Sequence, residues 1–154
     1  MGQNATWPTR THGPDCRSET PHRKCHTPKL LARHLDNGRL AEALARRYLL
    51  NRGLQVVTEN YRCRYGELDL IMRDAGLLVI VETRYRRQST YGGPIESISM
   101  LKRRKIVRST QHFINKYPAY RNVSVRFDVV GLTGTLKAPD IHWIAGAFTL
   151  DDMY

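Results

Sequence analysis

Apolar and polar residues change period several times along this chain, and each change predicts an element. Leu40, Ala41, Leu44, Ala45, Tyr48 and Leu49 recur at helical spacing. They predict an amphipathic helix from about Arg39 to Arg52, with Gly53 suited to the C′ position. Gln55 to Arg62 reads as a strand. Leu68 to Arg73 and Leu77 to Tyr85 are rich in branched apolar residues, and Asp74-Ala75-Gly76 between them is turn chemistry, so the two predict a β-hairpin. A turn-rich loop over residues 88–94 precedes a second helix, predicted from about Pro94 to Tyr117 with Pro94 near N1. Ile95, Ile98, Leu101, Ile106, Phe113 and Ile114 supply its buried side. Strands are predicted at Val123–Val130 and Ile141–Phe148. The order α-β-β-β-α-β-β implies a mixed sheet flanked by helices, an α/β layered domain.

The hairpin organises the rest. With its turn centred between Ala75 and Gly76, Ile71 falls opposite Ile80, Asp69 opposite Glu82 and Glu67 opposite Arg84. Alternation places Leu68, Leu70, Met72, Leu77, Val79 and Val81 on a core face. The other face is apolar near the turn and charged at the open end, where Glu67, Asp69, Glu82, Arg84 and Arg86 gather. Two carboxylates directly opposite have Cβ atoms roughly 5 Å apart and repel. A hard divalent cation such as Mg²⁺ takes carboxylate oxygens and would relieve that repulsion. The plainer reading is a pair of strand-end carboxylates, solvated or matched by Arg84 and Arg86. Glu42 is equally open: it either favours the first turn of its helix and pairs with Arg46, or reaches the same site as a further carboxylate.

Composition sharpens the choice. A length of 154 residues fits one domain plus a tail. Residues 1–29 hold four of the seven prolines and little periodicity, which predicts a disordered leader before a folded domain at 30–154. His12, Cys16, His22, Cys25 and His26 in that leader are possible zinc ligands, but they lack the paired cysteine spacing of structural sites, and coincidence is the expectation. Three cysteines argue against a disulfide framework. No apolar run approaches the roughly 20 residues of a membrane span, and no secretory signal is visible, so a cytoplasmic location is expected. The net charge is +11, and beyond the leader 20 basic residues still face 12 acidic ones. That surplus points to a polyanionic partner, with nucleic acid favoured over a membrane surface. Lys102, Arg103, Arg104, Lys105 and Arg108 cluster on the second helix. Alone they would be a solvated face; beside a carboxylate site they suit a phosphate backbone.

Six segments in order, AEALARRYL, GELDLIM, VIVETRYR, the Lys102 region, RFDVV and IHWIAGAF, resemble the YraN family of small bacterial proteins over residues 38–148. That family is placed in the restriction-endonuclease-like PD-(D/E)xK superfamily. The resemblance implies an αβββαβ nuclease core with its site at the open end of the hairpin. It assigns Asp69 and Glu82 to the superfamily's Asp and to the Glu of Glu-x-Lys, and Glu42 to an auxiliary first-helix Glu. Asp69 and Glu82 would hold Mg²⁺ or Mn²⁺, with the Thr83 backbone carbonyl as a further ligand. Lys102, Arg103, Arg104, Lys105 and Arg86 would contact DNA, branched or damaged, during phosphodiester hydrolysis. Arg84 stands where a Lys is usual. It can stabilise phosphate charge but cannot act as a base, so Lys102 or a metal-bound water would have to compensate. The alternatives are a nucleic-acid-binding module that keeps this fold without catalysis, and a structural or protein-interaction role.

Overall fold

The computed structural model describes residues 29–88 and 98–151, with side chains from Asp36 onward. The leader with its zinc candidates and the predicted helix start at Pro94 lie outside the described residues. The elements are α1 (Lys29–Leu50), β1 (Gln55–Cys63), β2 (Gly66–Asp74), β3 (Leu77–Arg86), α2 (Met100–Lys116), a single 3₁₀ turn at Pro118–Tyr120, β4 (Val125–Thr135) and β5 (Ala138–Phe148). The predicted α/β order holds.

Strand and helix boundaries both differ from expectation. β4 runs on to Thr135 and β5 begins at Ala138, where the sequence predicts Val130 and Ile141, because a tight turn at Leu136-Lys137 sets Thr135 opposite Ala138. α1 begins ten residues before Arg39 and runs straight through Asn37-Gly38, a dipeptide that ordinarily ends helices. α2 begins at Met100 because Ser99 is its N-cap: the Ser99 hydroxyl accepts a hydrogen bond from Lys102 N at 3.3 Å. The hairpin turn takes the left-handed conformation at both central residues, with φ 44° at Ala75 and 91° at Gly76. This is the backbone that matches strand twist.

The five strands lie in the order β1-β2-β3-β4-β5, antiparallel except for β3 beside β4, which are parallel and joined through α2. β2 and β3 pair from Asp74↔Leu77 to Leu70↔Val81, with Ile71 opposite Ile80 as the sequence predicts. Both faces of the sheet are core. Ala41, Ala45 and Leu49 of α1 pack with Leu70, Met72, Val79, Val81, Val130 and Leu132. Ile106, Val107 and Phe113 of α2 pack with Leu68, Ile71, Leu78, Ile80, Phe127 and Phe148 on the other side. Burying each large side chain removes it from water at about 1.5–3 kcal/mol, so the apolar turn end of the second face reports a second helix. Leu68 therefore departs from its predicted face and joins the α2 side. The regular β2–β3 pairing ends at Leu70, and Asn60 of β1 turns to φ 51° nearby, where strict alternation along β2 is lost.

Across the sheet, β4 and β5 shift register between Phe127 and Val129, and fully buried Asp128 occupies that irregularity. Its carboxylate accepts from Arg126 Nε and Nη2, Trp143 Nε1 and Gly146 N, all at 2.9–3.0 Å. A buried charge with that many donors is satisfied, and it fixes the β5 bulge.

Candidate functional site at the open end of the hairpin

Asp69 and Glu82 sit one step beyond the last regular β2–β3 pair, at the position the turn geometry predicts. Both are buried, with 9% and 5% of their surface exposed. Burial raises both carboxyl pKa values, and Glu82, further raised by the Asp69 charge, is pushed up to about 7. Each also has partial relief. Asp69 Oδ2 accepts the Thr83 backbone N–H at 2.8 Å. Glu82 Oε1 meets Arg84 Nη2 at 3.3 Å, and Glu82 Oε2 meets Lys102 Nζ at 3.1 Å. Lys102 arrives from α2, one turn beyond its N-cap.

Thr83 thus contributes its amide to Asp69. Its hydroxyl is buried without a hydrogen-bond partner, and so is Arg84 Nε. Two buried polar atoms beside the carboxylates are thus left without a partner, an uncommon arrangement in a folded interior.

Glu42 lies near enough that Asp69 and Glu67 raise its carboxyl, although burial is the larger cause; Arg39 and a hydrogen bond with Asn60 oppose them. The first-turn explanation of Glu42 fails, because α1 starts at Lys29 and places Glu42 well inside the helix. Its expected partner fails too: Arg46 Nε pairs instead with Glu59 Oε1 of β1 at 2.7 Å. Glu67 pairs with Arg62 on β1 at 3.2 Å. Among the described residues, no group of three or more His, Cys, Asp and Glu is arranged to hold a metal. The acidic centre is a pair, with Glu42 beside it.

The basic cluster is divided by the helix. Lys102 turns to Glu82, whereas half-buried Arg103 donates from Nε to the Ile98 carbonyl at 3.2 Å and lies 5.5 Å from the Phe148 ring centroid. Arg104 and Lys105 are exposed, as is Arg86 at the end of β3. Sequence reasoning missed Asp128, whose signal was a lone Asp in an apolar strand two residues after an Arg. It also missed the aromatic cluster around His112, for which the sequence held no short-range signal.

No helix among the described residues is long and apolar enough to cross a membrane. A family profile described as "Uncharacterised protein family UPF0102" matches residues 41–132, from the middle of α1 to β4. A UPF0102 protein of Nitrosococcus oceani is 42% identical over 120 residues, covering 78% of this chain and 97% of that protein. One from Xanthomonas campestris pv. campestris is 47% identical over 115 residues, covering 75% and 93%. Another from Stutzerimonas stutzeri is 42% identical over 112 residues, covering 73% and 93%. The matched span carries Asp69, Glu82 and Lys102 together, and the chain belongs to the UPF0102 family.

Proposed function

We propose that this protein is a metal-dependent nuclease of the restriction-endonuclease-like superfamily, hydrolysing phosphodiester bonds in DNA, branched or damaged substrates included. The observation that carries the reading is the buried Asp69–Glu82 pair, with Lys102 Nζ 3.1 Å from Glu82. A pair of carboxylates held at raised pKa values by burial is poised for a cation, and an active site is where such perturbation is useful.

The residues fit a hard divalent ion. Asp69 and Glu82 would hold Mg²⁺ or Mn²⁺, and the Thr83 carbonyl would be a further oxygen donor. When bound, the ion supplies a water of lowered pKa and neutralises charge on the phosphate. Arg84, whose side chain is one-third exposed, would offer its guanidinium to a phosphate oxygen. Lys102 supplies from α2 the amine that Arg84 does not supply from β3, and exposed Lys105, Arg104 and Arg86 would meet the DNA backbone.

Cleavage of labelled linear, flapped and four-way-junction DNA with Mg²⁺ or Mn²⁺ tests this. Products should depend on metal, and Asp69→Asn and Glu82→Gln should each reduce cleavage at least a hundredfold while binding in EDTA stays within about threefold. A second reading, a DNA-binding module without catalysis, is favoured by one observation: Arg84 and Lys102 already occupy both oxygens of Glu82. Full binding with no metal-dependent product from the parent protein would select it.

A further inference from the structure

α2 carries six basic residues and no acidic one, and one of its faces runs beside the turn between β1 and β2. Along that face Lys102, Lys105, His112 and Lys116 follow one another at helical spacing. Lys102 is at Glu82. Lys105 packs beside Gly66, where an added Cβ would lie 3.8 Å from Lys105 Cβ. Cys63 Sγ donates to Ser109 Oγ at 3.5 Å, and Tyr61 Oη lies 2.8 Å from His112 Nδ1, so the strand turn is tied to the helix. Lys116 Nζ sits 5.9 Å from the Tyr61 ring centroid. The 14 residue steps from Lys102 to Lys116 span about 21 Å.

Tyr65 lies beside this seam. Its ring meets His112 edge to face, with centroids 6.1 Å apart, and Arg64 lies 4.8 Å from its centroid. Unlike Tyr61 and Tyr120, Tyr65 packs into neither core cluster, so apolar burial does not account for it. A basic seam with an aromatic ring spare of the core is the combination that holds single-stranded nucleic acid: cations track the backbone and a ring face takes an unstacked base. Intact duplex offers its bases already stacked and paired. About six phosphates at duplex spacing would cover the seam, fewer if the strand is stretched.

We propose that a single-stranded stretch of DNA lies along the seam between α2 and the β1–β2 turn, with its backbone on Arg64, Lys105 and Lys116, a base on Tyr65, and its end at Asp69–Glu82. The preferred substrate would then carry a flap, gap or overhang next to the cut bond. What happens at the end of the seam rests on the nuclease reading; binding along it does not.

The test is fluorescence anisotropy in EDTA with a labelled 12-nucleotide oligothymidylate and a blunt 12-base-pair duplex, using the full chain. Tyr65→Leu should weaken oligothymidylate binding about tenfold and duplex binding less than twofold, and Tyr65→Phe should restore most of the loss. Equal effects on both DNAs, or none on either, would overturn the proposal. Should Tyr65→Leu fail to fold, ultraviolet crosslinking of a 5-bromodeoxyuridine 12-mer to the parent protein decides: crosslinks within residues 61–66 support the seam, and crosslinks confined elsewhere refute it. Tight single-strand binding without metal-dependent cleavage would leave the seam standing and remove the nuclease reading.

Discussion

Glu82 places an ionisable carboxyl where burial resists its charge. The folded protein raises its carboxyl to about 7 from an ordinary value near 4.5, first through burial and then through Asp69. Between those values the native state keeps a proton that the unfolded chain releases. Stability therefore falls as pH rises through that window and levels above it, by on the order of 3 kcal/mol for this one group. In chelator, urea unfolding should show Glu82→Gln close to the parent at pH 4.5 and clearly more stable at pH 8, since Gln does not ionise. Parallel stability curves for the two proteins would refute the assignment. That Asp69 and Glu82 meet was legible in the sequence, because a two-residue turn fixes the register of every position up the hairpin. That Lys102 reaches Glu82 while neighbouring Arg103 turns to Ile98 was not. One residue is 100° of helix rotation, and the rotation depends on packing that the sequence pattern leaves open.

At the scale of elements, the β2–β3 hairpin was more legible than the helix starts or the inner ends of β4 and β5, which run on to a turn at Leu136-Lys137. Strand limits follow from turns, and Asp74-Ala75-Gly76 forms the predicted turn. Helix starts are set by competition among weak signals. Pro94 suggested one start for α2, but the Ser99 cap lies directly before the helix. The apolar stripe beginning at Leu40 suggested a late start for α1, yet the helix begins at Lys29 and runs through Asn37-Gly38. Gly38 has ordinary backbone angles, and nothing lies within 4 Å of an added Cβ. Its cost is thus the entropy of an unrestrained glycine in a helix. Gly38→Ala should stabilise the protein by about 0.5–1 kcal/mol, raising Tm by roughly 3 °C in a thermal melt. An unchanged or lowered Tm would show that α1 does not extend through this position.

Across the whole molecule, placement of charge matters more than the total of +11. Several cations are engaged inside the fold: Arg46 with Glu59, Arg126 with Asp74 and Asp128, and Lys102 and Arg84 with Glu82. Arg104, Lys105 and Arg108 stand exposed on α2 instead. The composition announced a polyanionic partner but could not say which side of the sheet would meet it. The alternation along the hairpin suggested one core face, whereas α1 and α2 cover both, and α2 brings Lys102 to the acidic pair while carrying exposed Arg104, Lys105 and Arg108 on the same helix. Each cation that meets a phosphate releases condensed counterions, and the salt dependence of binding counts them at about 0.7 per phosphate on a single strand. Oligothymidylate affinity, measured in EDTA from 50 to 200 mM salt, should therefore separate the two classes of cation. Lys105→Ala should make the slope of log K against log salt shallower by about 0.7. Arg46→Ala, which removes a cation already matched by Glu59 on the α1 side, should leave that slope unchanged. Equal changes in both variants would mean that DNA responds to net charge alone, and the α2 surface would lose its claim as the binding face.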